Sequence, residues 1–267
     1  MNTKSRKYYE QRIDSNQGCV KLPTKTIPKG YPKNLTQKDF TVSDKSDFSS
    51  IIRNLEKYGV CVVPNFIEKS SCKEALKEIQ PKFYRYDSWN GSPFPKETTV
   101  VTRSVLHSST ILEKIVSDPL FGGVAEKFLN ERNYFMAGKV LKEYTCGIQL
   151  NSGIVYKVGP GAADQGYHRE DYVHHTVHQS RNTFKHGEET MLGLGVAFTD
   201  MSKENGATRF IVGSHLWGPY DACGSFDKEM EFYIEAKEGD AVLFLGSVYH
   251  AASANHTSKD RIAGFFL

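Results

Sequence analysis

What this 267-residue chain has little of narrows its possibilities first. It holds five cysteines, Cys19, Cys61, Cys72, Cys146 and Cys223, with no Cys-x-x-Cys pair and no framework spacing. An odd number would leave one over in an oxidising compartment, so a disulfide scaffold is set aside and a reducing interior is expected. No run of eighteen apolar residues exists, and the stretch Met1-Asn2-Thr3-Lys4-Ser5-Arg6-Lys7 lacks the apolar core of a signal peptide. Those absences predict a soluble, cytoplasmic protein with no membrane partner. The net charge is only +3, and Lys and Arg are scattered rather than gathered into a stripe, which argues against nucleic acid as a partner. There is no internal repeat and no low-complexity tract.

What is present divides the chain by character. Residues 1–45 are rich in Lys, Thr, Asn, Gln and Pro with few periodic apolar positions, and are expected to form an extended or partly ordered arm. Residues 46–267 are expected to form one domain, a size that β-sandwiches and barrels reach as a single unit. Phe48, Ile51, Ile52, Leu55 and Tyr58 have helical spacing, with Gly59 as the stop. Val60-Cys61-Val62-Val63 reads as a buried strand, and Ser70-Ser71 as the cap of a second helix through Ala75, Leu76 and Ile79. The turn-rich run between Asp87 and Thr99 reads as a loop, and residues 110–130 as a further helix.

From Tyr144 the character is β. Strands are expected at 144–150, 153–158, 191–198, 208–212, 232–234, 241–245 and 261–266, separated by Gly-containing turns. Many short strands of this kind predict a mainly β sandwich or jelly roll buttressed by helices from the N-terminal third.

The stretch Gly166-Tyr167-His168-Arg169-Glu170-Asp171 is where chemistry enters. On a strand, side chains at i and i+2 share a face, so His168 and Glu170 would project together while Arg169 and Asp171 point away. A second imidazole from another strand would complete a two-His-one-carboxylate facial set, which leaves positions open on Fe(II) for a co-substrate and dioxygen. His250 is the candidate for that third ligand.

His168-Arg169-Glu170, the run Asn205-Gly206-Ala207-Thr208-Arg209-Phe210-Ile211-Val212-Gly213-Ser214-His215, Glu238-Gly239-Asp240-Ala241-Val242-Leu243-Phe244, and His250 followed by Arg261 together resemble the phytanoyl-CoA dioxygenase family, and within it the fungal iron and 2-oxoglutarate oxygenases of secondary metabolism. The resemblance implies a double-stranded β-helix, a cupin-like jelly roll. It further implies Fe(II) on His168, Glu170 and His250, 2-oxoglutarate as co-substrate with its distal carboxylate on Arg261, and O2 as oxidant. A planar guanidinium matches a carboxylate in a bidentate way that Lys cannot. Gln165 and Thr208 match co-substrate positions in the subgroup, and Arg103, with His107, lies where relatives wall the substrate site. Gln149 is a further candidate to face the cavity. Many relatives carry Asp where this chain has Glu170; Glu keeps the anionic donor, so iron binding should survive.

The activity implied is oxidation of a small organic molecule, by hydroxylation, desaturation or a related C–H oxidation. An acyl-CoA hydroxylase like the one that names the family and a non-catalytic jelly-roll binding module are the alternatives, with a zinc hydrolase on the same ligands behind them. His174, His175, His178 and His186 crowd the region without Cys partners or a helical His-Glu-x-x-His pattern, and read mostly as surface or substrate-loop residues. His215 reads as a structural hydrogen-bonding residue. A homodimer is left open. No peroxisomal address is visible, although the chain stops inside an expected strand, which leaves a peroxisomal location open beside the cytoplasmic one.

Overall fold

Val60-Cys61-Val62-Val63 is apolar at every position, as a strand covered on both faces must be. In the computed structural model, which describes residues 24–85, 95–218 and 226–267, that strand (β1, Val60–Val63) sends Cys61 and Val63 into one apolar cluster and Val60 and Val62 into another. The first cluster is shared with three helices, α1 (Phe48–Tyr58), α2 (Lys69–Ile79) and α3 (Pro119–Leu129). The second is shared with Phe210, Val212 and Ile234 on the far side. The architecture is therefore helices, a large sheet and a small sheet, in layers.

The remaining strands are β2 (Tyr84–Arg85), β3 (Thr98–Val101), β4 (Glu131–Ala137), β5 (Val140–Cys146), β6 (Gly153–Val158), β7 (Leu192–Ala197), β8 (Thr208–Ile211), β9 (Glu231–Tyr233), β10 (Ala241–Leu245), β11 (His250–Ala252) and β12 (Arg261–Phe266). The large sheet runs β1-β10-β7-β12-β6-β3-β2, every pairing antiparallel. The small sheet runs β11-β8-β9, and β4 pairs with β5. Alternation along β10 shows the logic: Ala241, Leu243 and Leu245 face the helices, whereas Val242 and Phe244 face the small sheet. Opposite Phe244 stands Gly193, where any side chain would collide with the Phe244 ring. That missing Cβ lets Phe244 lie flat over the sheet and reach the small one.

Local chemistry sets the helix ends. Asp47 caps α1 by accepting from Ser50 N at 3.0 Å, and Gly59 stops it at φ +77°, a conformation that suits glycine. The serines expected to cap α2 instead lie inside its first turn, with Glu68 at the N-cap. The helix expected over 110–130 is broken. A helical turn at Ser109–Ile111 runs into a π-helical turn at Leu112–Val116, and α3 starts afresh with Asp118 accepting from Leu120 N and Pro119 in the first turn, where its missing N–H costs nothing.

Two β expectations are corrected. The strand expected at 144–150 ends at Cys146, and its partner β4 lies where no strand was foreseen. The loop expected from Asp87 to Thr99 lies partly outside the described residues, and its end is already β3. Before the domain, Phe40 is fully buried against Tyr58 and Phe232, so part of the expected arm is packed. Among the described residues no helix is long and apolar enough to cross a membrane.

Candidate metal centre

His168 and His250 meet through two reciprocal backbone bonds, His168 N to His250 O and His250 N to His168 O, each 3.0 Å. This is an isolated bridge, and residues 166–171 do not form the regular strand expected of them. One bridge is nonetheless enough to set the rings with centroids 4.5 Å apart. Glu170 N donates to Gly246 O at 3.0 Å, which turns its side chain back toward the imidazoles. Glu170 Oε1 lies 3.4 Å from His168 Nε2 and 3.1 Å from His250 Nε2, and the three ligand-capable atoms fall within 4.8 Å of one another. His250 is buried between Phe210, whose ring stacks at 5.4 Å, and Phe244 at 5.0 Å.

Hydrogen bonding fixes which nitrogen is free. Nδ1 of His168 lies 3.1 Å from the Gly166 carbonyl and Nδ1 of His250 lies 3.2 Å from the Val248 carbonyl. A carbonyl only accepts, so each Nδ1 carries the proton and each Nε2 presents a lone pair, the arrangement seen behind metal-bound histidines. Two imidazole lone pairs and a carboxylate then converge, a set relieved either by a cation between them or by a proton taken up on an imidazole. A divalent ion meets all three at once. Without it, burial opposes charge on His168, but Glu170 and the Gly166 carbonyl outweigh burial and raise its pKa. Burial likewise pushes Glu170 up, and the two imidazoles overcome that to hold it far below the usual carboxylate range.

These side chains open into a cavity of about 510 Å³. Arg261, on β12, lines it and is buried. Its guanidinium donates to the Gly206 carbonyl at 2.5 Å, while its Nε has no partner. Burial lowers its pKa only to about 10, so it stays cationic at neutral pH, and among the described residues no carboxylate pairs with it. A buried cation of this kind is costly until an anion arrives. Gln165 and Thr208 line the same cavity, and Gln165 Oε1 accepts from Ala252 N at 3.1 Å.

The structure does not bring Arg103 or Gln149 to this place. Both are exposed and neither lines the cavity. Arg103 sits at φ +52° ahead of a short helical turn, and Gln149 falls in the irregular stretch after β5 rather than on an inward-facing strand.

Other residues were missed by sequence reasoning. Ser253 Oγ is buried without a partner and lines the cavity, three residues after His250. Ile154, Tyr156 and Phe265 supply apolar wall; strand alternation from Arg261 to Phe265 could have found the last. His178, expected near the surface, is buried and contacts Asp171 at 2.5 Å. Asp171 and Arg169 do point away from the triad as expected, yet into protein. Arg169 donates to the carbonyls of Ser247, Ser214 and Trp217 and lies over Tyr249. The segment carrying Glu170 is thus anchored on both sides. His215 is structural, with Nε2 3.0 Å from the Glu56 carbonyl, and burial pushes its pKa down to about 4.

Comparison with known proteins adds to the geometry. The family model for phytanoyl-CoA dioxygenase (PhyH) matches residues 55–263. An uncharacterised protein of Saccharomyces cerevisiae is 63% identical over 267 residues, covering 100% of this chain and 77% of that protein. Dioxygenase cnsJ of Penicillium expansum is 34% identical over 212 residues, 79% of this chain and 63% of that protein, so the match spans less than two thirds of that relative. Among solved structures, the epimerase SnoN in complex with Fe3+, alpha ketoglutarate and nogalamycin RO superposes with a TM-score of 0.58 at 16% identity, covering 84% of this chain and 83% of that one. HygX from Streptomyces hygroscopicus, with nickel, 2-oxoglutarate and hygromycin B bound, gives 0.54 at 13%, covering 80% and 84%. At such identities the structural likeness is one of fold.

Proposed function

Because the chain belongs to the phytanoyl-CoA dioxygenase family, and is a dioxygenase working with iron, 2-oxoglutarate and O2, we propose that it oxidises a C–H bond of a small, largely apolar organic molecule, a secondary metabolite in kind. The outcome is hydroxylation, desaturation or a related oxidation. The two main sheets are taken as the halves of a double-stranded β-helix, a reading that the likeness to SnoN supports.

His168, Glu170 and His250 would hold the iron, and Arg261 the distal carboxylate of 2-oxoglutarate, with Gln165 and Thr208 beside it. When bound, iron with 2-oxoglutarate and O2 supplies the oxidant that removes a hydrogen atom from the substrate, with succinate and CO2 as by-products. The chain's own work is placement. The Nδ1 protons held by the Gly166 and Val248 carbonyls keep both Nε2 atoms available, and Arg261 orients an anion where water has been excluded. Ile154, Tyr156, Val158 and Phe265 give the substrate an apolar wall. The observation that carries the reading is that three convergent acceptors and a buried guanidinium with a free Nε share one cavity.

The acyl-CoA alternative is less well supported, since Arg261 is the one Lys or Arg among the described lining residues and the CoA phosphates would want several. A zinc hydrolase or a non-catalytic module has no use for Arg261. The test is succinate release by iron-loaded protein over a panel of terpenoid, alkaloid, peptide and acyl-CoA candidates. Stimulation above the substrate-free rate by a terpenoid, alkaloid or peptide is expected; preference for acyl-CoA overturns the substrate class, and absence of any 2-oxoglutarate turnover overturns the reading.

A further inference from the structure

Glu170 has no strand to hold it. Residues 166–171 make one bridge, at His168, and the chain then leaves through a short helical turn, Asp171–His174, into a long connection that reaches β7 only at Leu192. A ligand at the start of such a connection needs fixing by something other than a ladder. Apolar packing does not supply it there, because Tyr172, Val173 and Val177, next along the chain, are 67%, 46% and 68% exposed.

What is buried beside Glu170 is polar. Asp171, His178, Glu189 and Ser247 are all buried, and they form two hydrogen-bonded pairs. His178 Nε2 lies 2.5 Å from Asp171 Oδ2 and closes the loop of residues 171–178 at its base, where Thr176 Oγ1 also donates to the Asp171 carbonyl at 3.3 Å. Ser247 Oγ donates to Glu189 Oε1 at 2.6 Å. Both pairs bear on the turn Gly246-Ser247-Val248 between β10 and β11. Gly246 O accepts from Glu170 N, and Val248 O faces Nδ1 of His250, so one turn orients two of the three ligands. A Cβ on Gly246 would stand 2.8 Å from Met191 Cβ and 3.2 Å from Asp171 Cβ; the bare glycine lets the Asp171 segment close on the turn.

We infer that His178 and Glu189 are positioning residues for the oxygenase: His178 through Asp171, and Glu189 through Ser247, hold the Glu170 carboxylate and the His250 ring in the geometry that grips the metal. The inference rests on the reading of His168, Glu170 and His250 as the metal ligands. Neither residue lines the cavity or belongs to the convergent set, so each acts through a neighbour. Stability alone is a poor reason for the cluster. Replacing both partners of a buried hydrogen bond by apolar groups of the same shape is often neutral or stabilising, and an unpaired buried oxygen, such as Glu189 Oε2, costs stability. Hydrogen-bonded partners behind metal ligands, by contrast, set ligand direction and raise metal affinity. The cluster stands directly behind the one ligand that no strand or bridge supports. If it only kept the loop folded, its loss would lower stability without changing the metal's surroundings.

The experiment is anaerobic Fe(II) titration of the full chain, with the visible spectrum of the Co(II)-substituted protein as the readout of ligand geometry, and denaturant midpoints on the same samples. His178→Gln, whose amide N–H reaches about as far as Nε2, is set against His178→Asn, one methylene shorter and equally polar. His178→Asn should weaken Fe(II) binding about 10-fold, the lower end for loss of an outer partner, and shift the Co(II) bands; His178→Gln should return both close to those of the unaltered protein. Glu189→Leu should act like His178→Asn, whereas Glu189→Gln, still able to accept from Ser247, should not. His186→Ala removes a 2.7 Å contact between the same connection and Glu56 and should leave the Co(II) bands in place. Unaltered Fe(II) affinity and Co(II) bands in His178→Asn and Glu189→Leu overturn the inference and leave the ligand set standing. Equal losses in His178→Asn and His178→Gln that follow the denaturant midpoint, or bands shifted as far by His186→Ala, overturn it too. Unaltered protein that binds no Fe(II) overturns the ligand reading and the inference with it.

Discussion

The metal centre and the β4–β5 hairpin are both made of antiparallel backbone pairs, and they use them in opposite ways. At the centre a single bridge, His168 with His250, carries the chemistry. It holds because everything around it is buried: Phe210 and Phe244 flank His250, Arg169 is tied to three carbonyls, and Asp171 meets His178. At the hairpin, seven consecutive pairs form a complete ladder, and the large side chains still face water. Ladder length does not fix geometry on its own. Packing against a third element does, because a net hydrogen bond is worth only about 1 kcal/mol whereas burying a large apolar side chain is worth about 1.5–3 kcal/mol. The centre has its third element within the chain, and the hairpin pairs with none among the described residues.

Substitutions at the centre should therefore act on function, and those at the hairpin should change little within one chain. The largest effect is expected from Glu170→Ala. It removes the only anion of the convergent set, so two neutral imidazoles remain to hold a dication. Iron titration should show binding too weak to saturate, and succinate formation should fall to background. Near-normal iron affinity in that variant would mean that the three atoms meeting within 4.8 Å are not the metal site.

Arg261 comes next. Taking the guanidinium from a buried anion costs about 3–5 kcal/mol for comparable buried pairs, which is about two to three and a half decades of affinity. Arg261→Ala should raise the 2-oxoglutarate requirement by that order and leave iron binding little changed, since Arg261 is not a ligand. Arg261→Lys should recover part of the loss, keeping the charge but not the fork. Succinate formation against co-substrate concentration distinguishes the three proteins. An unchanged requirement in Arg261→Ala would move the anchor elsewhere, with Arg209 the nearest suspect; it is already paired with Asp164 at 3.0 Å.

The same contrast explains what could be read from the sequence. The convergence of His168, Glu170 and His250 was legible from the His-x-Glu pair together with the family resemblance that adds His250 and Arg261, and the buried strands because their apolar runs are continuous. The hairpin was not legible. With Tyr134, Phe135 and Met136 in succession, both faces are apolar, and the period-2 signal that marks a half-buried strand disappears. His178 was hidden among three other histidines, its burial set by Asp171, a residue judged only by its neighbour's chemistry. Arg103 and Gln149 lie away from the cavity for a third reason. Which loop residues turn inward depends on local dihedrals, such as the φ of +52° at Arg103, that no periodicity encodes.

The smallest effect is expected from Leu141→Ser in dilute protein. Leu141 is 63% exposed, and its strand pairs with nothing but β4 among the described residues. Its substitution therefore removes little burial within one chain, and a surface change of this kind lies within about 0.5 kcal/mol. Denaturant midpoints of the variant and the unaltered protein should coincide when both are dilute. The 2-oxoglutarate requirement should be the same in both throughout. A midpoint lowered equally at every concentration would place Leu141 against its own chain, and the hairpin would then belong, like the metal centre, to the packed interior of one molecule.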